Sequence, residues 1–352
     1  MEPTRDLRNL NLEEMEELVL KLHGKKYNAR QLFQWVHQKG ITDWGKMTNL
    51  PQKLIACLKE ETEIGTLKPL ERQVSRRDDT VKYLLGLSDG NAIETVLMTY
   101  TGREQRERYT VCLSTQVGCG VGCAFCATGQ GGLVRNLEVA EIVGQVLNVE
   151  LELRQKGQRV TNVVFMGMGE PLLNYHNVVK AIKILNHPLG LNIGWRRITV
   201  STCGIVPKIK RLAREKMPLV LAVSLHAARD ELRNWLVPVN RKYPLRDLLD
   251  ACRYYVRETG RRITFEYVLI GGINDSERDA RELASLLKGM LANVNVIPLN
   301  PIKETGFRKP VFKSVRNFMQ MLEEEGIPAV LREEKGADID AACGQLRGKL
   351  YS

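Results

Sequence analysis

No run of about eighteen apolar residues occurs in the chain, so no segment of it is long enough to cross a bilayer as a helix. The opening stretch MEPTRDLRNLNLEE is charged and lacks the apolar core of a secretory signal. A cytoplasmic protein without a membrane partner is therefore expected. No repeat of 20–50 residues and no low-complexity tract stands out, which excludes solenoid and propeller architectures. Histidine is scarce, with five in 352 residues. No second Cys-x2-Cys knuckle and no His cluster accompanies the one close group of cysteines, as a structural zinc site would need.

What is present is a sizeable core and an excess of positive charge. Hydrophobic residues make up 43% and charged residues 26%, and the length suggests two domains or a domain with an accessory piece. Lys and Arg number 52 against 41 Asp and Glu, a net +11 that favours a polyanionic partner but leaves an ordinary basic enzyme open.

The chain is organised around VCLSTQVGCGVGCAFCATG, residues 111–129. Here Cys119, Cys123 and Cys126 form a Cys-x3-Cys-x2-Cys array, and Cys112 lies seven residues before it. Three thiolates on a Gly-rich loop can ligate three corners of a cubane iron–sulfur cluster and leave one iron open. Zinc is the competing ligand.

Residues 11 to about 62 have helical spacing. Asn11 is a candidate cap, Gly24 ends a first helix, 29–39 forms a second, and Leu50-Pro51 precedes a third. In KKYNARQLFQWV, basic residues alternate with aromatics, which suits either an RNA-binding face or a helix core. From about 68 to 100 the pattern is that of strands, with a turn at Ser88–Asn91. Glu94 falls on the second strand beside Val96 and Met98; alone it reads as a surface residue of an edge strand. The stretch TGREQRER, 101–108, reads as an exposed charged loop. Strands alternating with helices follow from the cysteine loop to residue 332, about six units, which indicates a parallel α/β sheet, open or closed as a barrel.

Four polar stretches follow successive strands: GMGEP with Gly169 and Glu170, Ser201 in VSTCG, Ser224-Leu225-His226, and Asn300. In parallel sheets such positions collect ligands. Each alone is weak, since a Ser after a strand is usually a cap, and His226 reads as a core histidine before a catalytic one. Together with the cysteine loop, whose array is similar to that of radical S-adenosylmethionine (SAM) enzymes, they suggest one mouth, and that resemblance implies a pocket for the adenosyl and methionyl groups of SAM. Near the C-terminus, Cys343 in DIDAACGQL sits among small residues, as an accessible thiol on a movable segment or a buried apolar one. Cys57, Cys203 and Cys252 read as buried apolar cysteines.

The array is similar to that of radical SAM enzymes. With Cys112, GMGEP, STCG, SLH, IPLNP and DIDAACGQLR, the chain closely resembles the RlmN family over nearly its whole length. The resemblance implies an α/β fold: a partial (β/α)6 radical SAM barrel with a C-terminal catalytic cysteine segment (109–352), preceded by an N-terminal helical accessory domain (1–66) and a short β-hairpin extension (67–108).

It also implies a radical SAM methyltransferase acting on C2 of an adenine in 23S rRNA and in tRNA. Cys119, Cys123 and Cys126 would bind a [4Fe-4S] cluster carrying an exchangeable SAM, and Gly169, Glu170, Ser201, Ser224, Leu225, His226 and Asn300 would hold SAM. Cys343 would take a methyl group and become tethered to RNA. Cys112 would release the product through a transient Cys112–Cys343 disulfide, and Glu94 would be the proton acceptor. An external electron donor such as a flavodoxin and a monomeric enzyme are expected. Three rivals stand beside this reading. Cfr-type adenine-C8 methyltransferases share both thiols and the cluster, although IETVLM and DIDAACGQL look more like the C2 branch. In a different radical SAM enzyme Cys112 and Cys343 would be idle. A non-catalytic iron–sulfur or zinc RNA-binding protein would bind RNA without cleaving SAM.

Overall fold

The computed structural model describes residues 5–102, 105–302 and 305–348. A two-residue strand β1 (Arg5–Asp6) precedes helices α1 (Leu12–Lys21) and α2 (Lys26–Phe33). Asn11 caps α1 in a reciprocal box with Glu14, as its position before two glutamates suggests. The first turn closes through His23, which itself takes the left-handed conformation (φ 59°), ahead of Gly24. Helix α2 continues as a π-helical turn over Gln34–Gln38, and α3 (Gln52–Glu61) leads into β2 (Thr62–Glu63), parallel to β1. Of the aromatic residues here, Phe33 is core, Trp35 is half-buried and Tyr27 is exposed.

The rest of the chain builds one ten-stranded sheet. Strands β3 (Lys68–Val74), β4 (Val81–Gly86), β5 (Ala92–Gly102) and β6 (Gln105–Cys112) form an antiparallel meander. A small hairpin, β7 (Gln116–Gly118) with β8 (Leu133–Asn136), brackets the cysteine loop and the single turn α4 (Ala127–Gln130). Helix α5 (Val139–Arg154) follows, then β9 (Asn162–Phe165), α6 (Tyr175–Asn186), β10 (Ile198–Thr202), α7 (Val206–Arg214) and β11 (Val220–Ser224). The chain ends through α8 (Asp230–Leu236), α9 (Leu245–Thr259), β12 (Ile263–Leu269), α10 (Glu277–Leu287), β13 (Ala292–Pro298), α11 (Phe312–Glu324) and β14 (Ala329–Leu331).

The order across the sheet is β14-β13-β12-β11-β10-β9-β6-β5-β4-β3. From β6 to β14 every neighbouring pair is parallel. Seven parallel strands joined by six crossovers give the six expected α/β units, and among the described residues β3 and β14 remain as edges of an open barrel. Helices on the crossovers cover the parallel strands, so stretches such as Val220–Val223 are apolar rather than alternating.

Two expectations change. The charged 101–108 stretch is largely strand: β5 and β6 stay paired out to Gly102 and Gln105, while Arg103 and Glu104 lie outside the described residues. Glu107 and Arg108 are exposed positions of β6, and Arg108 covers the Tyr100 ring at 4.0 Å. Glu94 is not on an edge: β5 lies between β4 and β6, and the residue is buried.

Candidate active site

The cysteine loop closes over the carboxyl ends of the parallel strands. Its base is pinned where the Cys119 N–H donates to Gly132 O at 2.7 Å, and its far side where the Ala124 N–H donates to Leu236 O on α8. Beneath it lies a cavity of about 160 Å³. Cys119, Cys123 and Cys126 form one wall, and Gly169, Glu170, Ser201, Ser224, His226 and Asn300 line it from the strand ends, with Cys343 between. The four polar stretches therefore meet as the alternation of strands and helices suggested.

The loop GMGEP lies against the start of the cysteine segment. A Cβ on Gly167 would come within 2.7 Å of the Leu113 backbone, and one on Gly169 (φ 97°) within 2.6 Å of Gln116. Glycine is required at both by close approach, and at Gly169 also by the left-handed backbone. Glu170 is buried and its carboxylate accepts from the N–H groups of Leu172 (2.9 Å) and Cys203 (2.7 Å). Burial raises its pKa against those hydrogen bonds. Its first task is thus to hold two backbone segments, and its remaining lone pairs face a cavity in which an ammonium would be favoured.

His226 is neutral. Its Nδ1 accepts from the Val268 N–H at 3.0 Å, its ring stacks edge-on to Phe125, and burial followed by the Arg233 charge lowers its pKa to about 3. It can donate from Nε2 but cannot serve as a base near neutrality. The Asn300 Oδ1 is buried with no hydrogen-bond donor among the described residues, an acceptor that a ligand N–H would satisfy. Leu225 does not reach the cavity; it is fully buried, its N–H donates to Glu266 O, and its carbonyl accepts from Arg233.

Burial first, then the charges of the other thiols, raises Cys119 to about 11 and Cys123 well above the ordinary thiol value. Among the described residues no three His, Cys, Asp or Glu side chains close on the position of a single ion. The trio instead rings one face of the cavity: three soft donors that a bound iron–sulfur cluster would take as thiolates.

A second, smaller cavity of about 90 Å³ lies beyond Cys343. Cys112, the last residue of β6, lines it with Met98, Tyr100 and Arg332, while Cys126, Asn300, Arg332, Cys343 and Gly344 line both cavities. Burial, then the nearby Cys343 charge, pushes the Cys112 thiol up to about 12. Burial raises Cys343 too, and Arg332 opposes it. Cys343 is exposed where it lines the two cavities, and their walls desolvate it in part. Cys203 and Cys252 are buried as expected, but Cys203 also lines the larger cavity, and Cys57 is only half-buried.

The segment bearing Cys343 is tied down. Asp338 accepts from Ser75 Oγ (2.7 Å) and the Arg76 N–H (3.0 Å), and Gly336 donates to Asp78. Gly344 O accepts from the Ala127 N–H and Leu346 O from Thr128 Oγ1, both at 2.7 Å. Glu94 takes part here: its carboxylate lies 3.2 Å from the Lys82 ammonium and accepts the N–H groups of Arg347 and Gly348, the latter at 3.0 Å. It lines neither cavity.

Sequence reasoning missed Arg233, Glu266 and Arg332. Fully buried Arg233 bonds Leu225 O, Ser224 O, Cys203 O and Asn240, tying the ends of β10 and β11 together. An Arg within DELRNWL carries no signal of that role, because its partners lie in other loops.

An open barrel with a three-cysteine loop above its carboxyl ends is the arrangement of the radical SAM superfamily, whose model matches residues 113–284. Residues 5–64 match the ribosomal RNA large subunit methyltransferase N-terminal domain. A probable dual-specificity RNA methyltransferase RlmN of Moorella thermoacetica is 52% identical over 344 residues, 97% of each chain, and one of Alkaliphilus oremlandii is 49% identical over 98% of each. A crystallised radical SAM methyltransferase from Sphaerobacter thermophilus superimposes with a TM-score of 0.93 at 49% identity, covering 98% of this chain and 100% of its own. The chain belongs to the RlmN family of radical SAM RNA methyltransferases. Membership of the superfamily implies a [4Fe-4S] cluster and SAM, and the three-thiol wall with the unsatisfied Asn300 acceptor fits both.

Proposed function

We propose that the enzyme methylates C2 of an adenine in the peptidyl-transferase centre of 23S rRNA, and C2 of an adenine next to the anticodon in some tRNAs. The observation that carries this reading is the position of Cys343 on the wall shared by two cavities, one bearing the cluster thiols and the other Cys112. Adenine C2 is an electron-poor carbon that no ordinary displacement on SAM would methylate, so a radical route is required. Cys119, Cys123 and Cys126 would hold one [4Fe-4S] cluster, which with bound SAM supplies the 5′-deoxyadenosyl radical. Gly169, Glu170, Ser201, Ser224, Leu225, His226 and Asn300 would shape the SAM site, Leu225 through its backbone position.

Cys343, as thiolate, would displace the methyl group of a first SAM and become S-methylcysteine. After loss of one hydrogen atom to the 5′-deoxyadenosyl radical, its methylene carbon would join C2 of the base and tether the RNA, and the adduct would shed the C2 proton and return one electron to the cluster. Cys112 would then attack the Cys343 sulfur, forming a disulfide as the carbon–sulfur bond breaks. Glu94 would accept the proton of this sequence once RNA binding shifts the segment that its carboxylate now holds. The units in this reading are 1–66, 67–108 and 109–352, in a cytoplasmic monomer reduced by an external donor such as a flavodoxin. Anaerobically reconstituted protein incubated with SAM, reductant and a 23S rRNA fragment should yield 2-methyladenosine and S-methylated Cys343 by mass spectrometry. 8-Methyladenosine, or SAM cleavage with neither product, would overturn it.

A further inference from the structure

We propose that the smaller cavity seats the acceptor base and that Arg332 recognises it by donating to a ring nitrogen beside the attacked carbon. This rests on the reading that Cys343 carries the carbon to be transferred. In the tethered state one carbon separates the Cys343 sulfur from the base, while the Cys112 sulfur must also reach Cys343. The base must therefore lie in a space bounded by both thiols. Cys343 lines both cavities, with Cys126, Asn300 and Ile297; the larger one adds Cys119, Cys123 and the other polar strand ends, whereas the smaller one adds Cys112, with Met98 and Pro298 as apolar surface for a flat ring.

Arg332 follows β14, its backbone fixed where its N–H donates to Val296 O at 2.8 Å, and its half-buried side chain lines both cavities. Among the described residues its guanidinium makes no hydrogen bond or ion pair, while buried Arg233 uses Nε and both terminal nitrogens. Donors held half out of water without acceptors are costly, which marks a place for a ligand acceptor. Burial would weaken its charge, but Cys343, Glu266, Tyr100 and Cys112 nearby more than restore it. The acidic neighbours Glu333 and Glu334 are already paired, with Lys335 at 2.9 Å and Lys309 at 2.7 Å. The Tyr100 ring carries Arg108 at 4.0 Å and Lys335 at 5.2 Å, which gives the rim the basic character a phosphate backbone needs.

An adenine supplies ring nitrogens as acceptors on both sides of C2. A charged donor on one of them withdraws density from that carbon and favours addition of an electron-rich α-thio methylene radical. A base enclosed between both thiols and held by this donor must be unpaired or flipped out of a duplex.

The test is a single-turnover experiment on Cys112→Ala protein produced without its cluster, then cluster-loaded anaerobically and incubated with SAM alone so that Cys343 is S-methylated before RNA and reductant are added, comparing Arg332, Arg332→Gln and Arg332→Lys. Each is given an RNA oligonucleotide with adenine, 1-deazaadenine or 3-deazaadenine at the target position. Adduct formation should fall about tenfold or more in Arg332→Gln, equivalent to about 1.4 kcal/mol per tenfold, with partial recovery in Arg332→Lys. One deaza RNA should lose about as much with Arg332 but little further with Gln, since the two changes remove the same contact. Unchanged adduct yield in Arg332→Gln, or losses on both deaza RNAs that are independent of residue 332, would overturn the proposal. Absence of any adduct with the Arg332 protein would instead overturn the covalent reading beneath it. Cluster absorbance and a thermal melt of each variant separate these results from misfolding.

Discussion

The parallel half of the sheet and its antiparallel extension contribute to the site in different ways. The parallel strands from β6 to β14 present groups at their carboxyl ends, and the cysteine loop closes over them. The extension, β3 to β5, brings none of Ser75, Asp78, Lys82 or Glu94 into either cavity. It holds the segment that carries Cys343, through Ser75, the Arg76 N–H and Asp78 in the β3–β4 turn and the Lys82–Glu94 pair on β4 and β5. The parallel half gives the cavities most of their thiol and polar lining; the extension adds Met98 and Tyr100 to the smaller cavity and holds the segment that carries Cys343. In the proposed sequence that thiol would meet a methyl donor, a base and a second thiol in turn, which asks for a dock, anchoring it away from the ligands themselves.

The sharpest way to break this division is to remove the thiol and keep the dock. Cys343→Ala should reduce methyl transfer to the level of an enzyme-free blank while leaving cluster absorbance and thermal stability near those of the unaltered protein. Residual methylation of RNA would contradict the placement of Cys343.

The reverse experiment removes the dock and keeps the thiol. Lys82 and Glu94 are 3% and 1% exposed, so Glu94→Ala removes the carboxylate that faces a buried ammonium, a change that typically costs about 3–5 kcal/mol. Amide hydrogen exchange over 343–348 should quicken markedly, and Cys343 should alkylate faster. Glu94→Gln keeps an oxygen for the Arg347 and Gly348 N–H groups, so it should protect those amides far better. Equal protection in Glu94→Ala and the unaltered protein would show that the extension does not hold the tail.

Within the parallel half, Gly167→Ala places a methyl group 2.7 Å from the Leu113 backbone. Overpacking of this kind costs about 1–3 kcal/mol, read as a lower melting temperature together with weaker SAM binding.

The smallest effect concerns the N-terminal helices. Buried His37 contacts Leu10 O through Nε2 at 3.1 Å, and burial lowers its pKa to about 3. The unfolded chain takes up that proton first. Its contribution is therefore complete above about pH 6.5 and lost as pH falls from there towards 3, by a few kcal/mol across the window. Denaturant midpoints at pH 7.5 and 5 should separate less in His37→Gln than in the unaltered protein.

The same contrast explains what could be read from the chain. The cysteine array, GMGEP, Ser201, Ser224 and Asn300 were legible because their spacing within strand–helix units already places them at one mouth. The alternation of strands with helices was legible for the same reason, since α7 and α9 each bury one apolar face at helical spacing. The dock was not legible, since Asp338 and Ser75 are 263 residues apart and Glu94 meets Gly348 across 254. Nor was the strand character of 101–108, where charge suggested a loop but pairing with a neighbouring strand decided the backbone. Arg233 and Arg332 escaped because a buried arginine is defined by partners, or by their lack, that only folding assembles.

The most direct test of the central claim, that Cys343 carries the transferred carbon between the two cavities, is the mass of the Cys343 peptide from Cys112→Ala protein produced with its cluster. The account expects that peptide to bear an adenine nucleotide joined through a single carbon. An unmodified Cys343 peptide beside normally methylated RNA would contradict it.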